Sequence, residues 1–227
     1  MRAPWNVNSV VFENRADAGR VLASLLHEFD GRKDVVVLAL PRGGVPVGFE
    51  VAQAIRAPFD VFVVRKLGVP GQEELAMGAV ASGGTVLLNQ HVIESLAIRD
   101  ATIDTVLLRE LRELERRELE YREGRPAIDV RGRTVILVDD GLATGSSMRV
   151  AASAVKKQNP AAVVVAVPVA SASACAELES EVNRVICAST PEPFWAVGQW
   201  YRDFSQISDE EVRRLLHRAT EVHSPQV

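Results

Sequence analysis

The chain has 227 residues, 47% hydrophobic and 25% charged, a balance that suits one soluble α/β domain with a sizeable core. A formal net charge of −4 points to neither a nucleic-acid partner nor an acidic membrane. No apolar run approaches the ~20 residues of a membrane span, and the opening Met1-Arg2-Ala3-Pro4-Trp5-Asn6 lacks a signal-peptide core, so a cytoplasmic protein is expected.

Residues 9–12 suggest a short strand. Residues 15–29 carry Ala18, Val21, Leu22, Leu25, Leu26 and Phe29 on one helical face, with Asn14 as N-cap and Asp30-Gly31 as the stop. Residues 35–40 are an apolar, β-branched run of the kind buried on both faces of a parallel sheet. They lead into Pro41-Arg42-Gly43-Gly44 and a helical pattern over 45–55, a strand, Gly-rich turn and helix in sequence. Residues 60–64 form a third apolar strand ending in Arg65-Lys66, two cations expected to face the same crevice as the other loops.

Residues 67–78 read as a loop, with Gly68, Pro70, Gly71 and Gly78. Residues 79–81 and 85–88, split by Ser82-Gly83-Gly84, read as a β-hairpin. Residues 100–123 form a long charged helix in which Ile103, Leu107, Leu111, Leu114 and Tyr121 make a narrow apolar stripe. It suits packing on the domain, or a contact with a second copy in a homodimer. The region at about 90–130 is thus a helical insertion.

The most informative stretch is 134–147. An apolar strand delivers Asp139 and Asp140 at its carboxyl end, followed by Gly141-Leu142-Ala143-Thr144-Gly145-Ser146-Ser147 and a helix. A turn opening a helix offers unpaired amides and the positive end of the dipole to a phosphate. Its glycines let an anion approach the backbone. The two aspartates precede the turn, where the hydroxyls of a sugar would lie, and can help hold an oxygen-ligated divalent metal. The segment reads as a ribose-phosphate cradle. It contains neither the Gly-Lys-Ser/Thr of a P-loop nor a G-x-G-x-x-G fingerprint.

Residues 162–169 are a further buried-type strand, 171–178 a helix and 182–187 a strand, so alternation argues for a doubly wound parallel sheet. Phe194, Trp195, Trp200, Tyr201 and Phe204 then crowd into a short span within the segment at about 190–220. They suit either a heterocyclic base stacked on their faces or a hydrophobic plug. Ser208 and Glu211 frame a final amphipathic helix as a capping box. Cys175 and Cys187 lack any CxxC or Cys/His spacing and are expected as buried reduced thiols. The four histidines show no zinc-type spacing. No internal repeat or second domain is visible, so 1–227 is expected to be one domain.

The run Val135 through Ser147 resembles the phosphoribosyl-pyrophosphate (PRPP) signature of type I phosphoribosyltransferases. The resemblance covers roughly residues 35–187. It implies transfer of the 5-phosphoribosyl group from PRPP to a nitrogen of a base, with loss of pyrophosphate and with Mg²⁺ carried mainly by PRPP. Asp139 and Asp140 would hold the 2′ and 3′ hydroxyls and lie near the metal. Gly141, Leu142, Ala143, Thr144, Gly145, Ser146 and Ser147 would line the 5′-phosphate pocket. Arg42, Gly43 and Gly44 would form the pyrophosphate loop, in which the Arg42-Gly43 pair is matched to the family's often cis basic-Gly pair. Arg65 and Lys66 would neutralise the leaving group, a flap would close from the region after them, and Phe194, Trp195, Trp200 and Tyr201 would meet the base. Relatives acting on 6-oxopurines carry an aspartate where this chain has Ala143, so the Leu-Ala-Thr-Gly form is more similar to adenine- and uracil-using members. No general base is evident. Such modules also occur fused to hydrolase domains. A non-catalytic PRPP or nucleotide sensor of the same fold, and a phosphatase or phosphorylase, stand as the other readings.

Overall fold

The structure is a computed structural model and describes residues 11–223. The chain begins with α1 (Arg15–Ala23) and a 3-10 turn at His27–Phe29. It continues through β1 (Val35–Ala39), α2 (Gly44–Ala54) and β2 (Phe59–Val61), then β3 (Val64–Val69), β4 (Gln72–Ala81) and β5 (Thr85–Leu88). Two helices, α3 (Gln90–Ser95) and α4 (Asp100–Arg122), precede β6 (Thr134–Val138), α5 (Ser146–Lys156), β7 (Ala162–Val169), α6 (Ala172–Glu179), β8 (Arg184–Ser189) and α7 (Asp209–His223).

The central sheet has the order β2-β1-β6-β7-β8, and every pairing in it is parallel. Strands β1, β6 and β7 are buried on both faces, so their side chains alternate between two cores. Val35, Val37, Ala39, Ile136 and Val138 join the core under α1, α2 and α7. Val36, Leu38, Val135 and Leu137 join the one under α5 and α6. β1 leads through α2 to β2 on one side, whereas β6 leads through α5 to β7 on the other. The winding direction therefore reverses between β1 and β6, which opens a crevice at their carboxyl ends.

Four expectations are corrected. Helix α1 stops at Ala23 rather than Phe29, because Ser24 takes the cap position and its hydroxyl donates back to Val21 O (2.7 Å). Leu22, Leu26 and Phe29 stay buried across the break, which is why the apolar spacing alone suggested one helix. Residues 67–78 are not a loop: β3 and β4 pair antiparallel around Pro70-Gly71, with Gly71 at φ +81°, while Leu67 and Met77 reach the core. The irregular register at Gly68 absorbs the Gly-rich sequence as a bulge. Arg65 and Lys66 accordingly lie within β3 of a separate antiparallel sheet, β3-β4-β5, and not at the end of a central strand. Cys175 and Cys187 are joined in a disulfide, brought together where α6 packs on β8. The β4-β5 hairpin is as expected. Of the expected strand at 9–12, Ser9 and Val10 lie outside the described residues, while Phe12 forms a single bridge with Tyr201.

The stripe of α4 packs on the domain, with Ile103, Val106, Leu114 and Tyr121 buried. At its end Arg122 makes a buried ion pair with Asp60 of β2. Its Nε lies 2.9 Å from Asp60 Oδ2 and 3.0 Å from Oδ1, and the guanidinium also donates to Val61 O and Glu118. Burial pushes the Asp60 carboxyl up, against the opposing pull of Arg122. Removing one partner strands the other charge in the interior, so Arg122→Ala is expected to cost about 3–5 kcal/mol, read from urea unfolding. Of membrane spans, no described helix is long and apolar enough to cross one.

Candidate functional site

The two Gly-rich turns meet over the crevice. After β1, Pro41-Arg42-Gly43-Gly44 opens α2. After β6, Asp139 to Gly145 opens α5. The turns approach so closely that side chains are excluded. A Cβ on Gly43 would overlap Asp140 Oδ2, and one on Gly44 would stand 2.7 Å from Val138 O and 2.8 Å from Asp139 Cα. The cis peptide bond in this loop joins Pro41 and Arg42, one bond earlier than the Arg42-Gly43 pair expected.

The helix N-termini differ in how they are capped, and α4, like α2 and α5, has no side-chain cap. Asn14, Asn89 and Ser171 cap α1, α3 and α6 with side-chain oxygens. Neither Gly43 nor Gly145 supplies such a bond to α2 or α5, and Gly145 sits at φ +69°, where a Cβ is unfavourable. Both helix dipoles point their positive ends toward the crevice, but the first amides differ: at α2 the Val45 amide is spent on Arg42 O and Pro46 has none, whereas at α5 the Ser146 amide meets only Thr144 Oγ1 at 3.5 Å. Within the second turn the residues are not equivalent. The Leu142 amide is spent on Val169 O, and its side chain is buried, so Leu142 serves the scaffold. Ser171 braces the turn by donating from its hydroxyl to Ala143 O (2.8 Å). The Gly44 amide is likewise spent, on Leu40 O. Thr144, Gly145, Ser146 and Ser147 remain grouped around the start of α5, with a Thr144–Ser146 hydroxyl contact of 3.3 Å.

The acid pair lies half-buried at the end of β6. Burial first, and then the neighbouring Asp140 charge, push the Asp139 carboxyl well above the ordinary carboxylate range. Burial also raises Asp140, while Arg15 pulls it the other way. The Asp140 amide donates to Asp139 Oδ1 (2.8 Å), and Arg15 Nε donates to Asp140 Oδ2 (2.8 Å). The sequence reading missed Arg15 because it lies 125 positions away, in the first turn of α1, and no local pattern marks it.

Arg65 and Lys66 separate. Arg65 turns to α4, where its guanidinium forms an ion pair with Glu110 at 2.6 Å. Alternation along β3 sends Lys66 the other way, into a cavity of about 340 Å³ that Ser146, Ser147, Asn89 and Glu74 also line. Lys66 thus joins the α5 terminus and Arg65 does not. Arg65→Met is expected to cost about 1–3 kcal/mol in stability, the range for bonds to charged groups, and to change PRPP affinity by less than about twofold in calorimetry. Arg42 lies near α7, its Nη1 3.9 Å from Asp209 Oδ1.

The four aromatics do not form one stacking platform. Trp195 is 77% exposed. Phe194 and Trp200 stack on each other, with centroids 6.3 Å apart. Tyr201 is buried between Phe12 and Phe204, and its hydroxyl donates to Asp140 O (2.5 Å). The plug alternative therefore describes Tyr201, whose contact with the acid pair is structural. Val197 closes the same wall, since a Cβ on Gly141 would stand 2.6 Å from Val197 Cγ1.

A doubly wound parallel sheet with two Gly-rich, helix-opening turns and an acid pair at its switch point places the crevice where open α/β sheets bind their ligands. The phosphoribosyl transferase domain description matches residues 11–204, and the chain belongs to that family. It is 46% identical over 209 residues to two curated proteins from Mycobacterium tuberculosis, strains CDC 1551 and H37Rv, both named "Putative phosphoribosyl transferase". The match takes in 92% of this chain and 47% of each relative, so the chain spans about half their length. The crystal structure of TT1426 from Thermus thermophilus is similar with a TM-score of 0.79 and 42% identity, over 91% of this chain and 98% of that one.

Proposed function

We propose that the chain is a transferase that moves the 5-phosphoribosyl group of PRPP to a ring nitrogen of a nucleobase or similar acceptor and releases pyrophosphate. The observation that carries the reading is the meeting of the Asp139-Asp140 pair, the Thr144–Ser147 turn and the Arg42-Gly43 turn over one crevice. The 5′-phosphate rests on the α5 terminus, with Lys66 beside it. Asp139 and Asp140 accept from the sugar hydroxyls. The α2 terminus and Arg42 receive the pyrophosphate.

At the anomeric carbon the bond to pyrophosphate oxygen breaks, its electron pair leaving with that oxygen; the acceptor nitrogen's lone pair forms the new bond, and that nitrogen's proton passes to solvent or to the departing pyrophosphate. The transition state has oxocarbenium character, so the protein contributes by holding the ring in place and countering the departing charge. The acid pair fits an oxygen-ligated divalent cation. Among the described residues no group of three or more metal-ligating side chains stands together, so the fit is to Mg²⁺ shared with PRPP, which when bound neutralises pyrophosphate. Asp139 and Asp140 are the residues that would hold it. Ala143 leaves no side-chain acid at the position where 6-oxopurine relatives carry aspartate, which favours an acceptor such as adenine or uracil. We take residues 1–227 to work as one unit, with the segment at about 190–220 as its hood.

The test is pyrophosphate release from PRPP and Mg²⁺ across a panel of purine and pyrimidine bases, with PRPP binding followed by calorimetry. Turnover with any base supports the reading. Tight PRPP binding without turnover would instead assign a sensor of the same fold, and absence of binding would sink both.

A further inference from the structure

The second carboxylate of the acid pair is fixed from outside both Gly-rich turns. Asp140 Oδ2 accepts from Arg15 Nε at 2.8 Å, and Asp140 O accepts from the Tyr201 hydroxyl. Arg15 is itself over-determined. Its Nη1 donates to Ser205 O (2.8 Å), and its guanidinium lies 3.9 Å from the Phe204 ring centroid. The residues flanking it are laced to the hood. The Phe12 amide donates to Trp200 O, the Arg202 amide to Phe12 O and the Asp203 amide to Glu13 O.

The pair is largely buried, with the side chains 9% and 15% exposed. Burying two charges costs desolvation that their attraction seldom exceeds, so such a pair is weak support for stability by itself. A planar, permanently charged fork is well suited to aiming a carboxylate. Asp140 also stands against Gly43, so the orientation of its carboxylate sets the gap between the two turns.

We propose that Arg15 is a positioning residue of the phosphoribosyl site: by holding Asp140 Oδ2 it fixes that carboxylate to receive a sugar hydroxyl, and so couples the hood to ribose recognition. The proposal rests on the transferase reading and concerns the sugar, not the phosphate. It therefore predicts a selective effect. Ribose 5-phosphate and inorganic phosphate would be titrated by calorimetry, without metal, into the full chain and its variants.

Arg15→Gln is expected to weaken ribose 5-phosphate about tenfold, the scale of one charge-assisted bond, and inorganic phosphate less than about twofold. Arg15→Lys keeps charge and length but not the fork spanning Asp140 and Ser205. It is expected to show the same selectivity at about threefold, and it supplies the answer if the glutamine variant does not fold. Arg202→Ala removes an exposed ion pair with Glu13 across the same junction and is expected to leave both affinities unchanged. Equal losses for the two ligands, no loss in a folded Arg15 variant, or a selective loss in Arg202→Ala would overturn the role of Arg15. A wild-type chain that binds neither ligand would instead defeat the transferase reading beneath it.

Discussion

Replacing Asp139 and Asp140 together by asparagine is expected to lower pyrophosphate release by about a thousandfold or more, while Asp139→Asn alone, which leaves the Arg15–Asp140 ion pair in place, is expected to make the ligand-free protein harder to unfold at neutral pH. The two effects share one cause. Burial, and then the neighbouring Asp140 charge, hold the Asp139 carboxyl well above its ordinary range, and burial raises Asp140 against the pull of Arg15. A carboxyl whose pKa is higher in the folded state binds more protons there than in the unfolded chain. Its contribution to stability therefore falls as pH rises from the unfolded value near 3.9 through the raised folded value. Thermal unfolding of wild type and Asp139→Asn across pH 3–8 reads this directly. The gap in Tm should favour the variant increasingly as pH rises. A double variant that keeps its turnover, or a gap that does not move with pH, would contradict this account of the pair.

Gly43→Ala is expected to weaken PRPP binding by about a hundredfold without harming the fold. The backbone at Gly43 is ordinary right-handed helix, φ −58° and ψ −38°, which alanine adopts freely. The added methyl would overlap Asp140 Oδ2, which Arg15 holds in place, so the carboxylate or the pyrophosphate loop must shift. Displacements of that order cost about 10²-fold in well-aligned sites. Gly44→Ala is a useful contrast, since its methyl would press on backbone atoms at the end of β6 and is expected to lower Tm as well. Calorimetric affinity set beside circular dichroism separates the two; a Gly43→Ala protein with wild-type affinity would show that the loop and Asp140 are not in contact during binding.

The central sheet was legible because each of its long strands is apolar on both faces and is followed by glycine or a capping residue. Strand β7 falls on the expected 162–169, and α6 (Ala172–Glu179) falls within a residue of the helix expected at 171–178. The cradle was legible for a related reason: acids, glycines and hydroxyls must be contiguous to share one turn. What escaped depends on distant contacts. Glycines at 68 and 71 looked like a loop, yet Leu67 and Met77 pull the segment into paired strands. Adjacent cations looked like one functional unit, yet strand alternation sends Arg65 and Lys66 to opposite faces. Cys175 and Cys187 lie 12 residues apart, and only the crossing of α6 over β8 pairs them. Arg15 reaches Asp140 only because α1 begins at the hood.

The ion pairs of α4 bear on how the antiparallel sheet can move. Arg65 fastens β3 to the middle of α4, and Arg122 fastens the end of that helix to β2. Any displacement of the β3-β4-β5 sheet that leaves the Arg65–Glu110 ion pair intact has to carry the 23-residue helix with it. In that geometry α4 is a stiff lever anchored at the Arg122–Asp60 rivet, rather than a slack strip of chain.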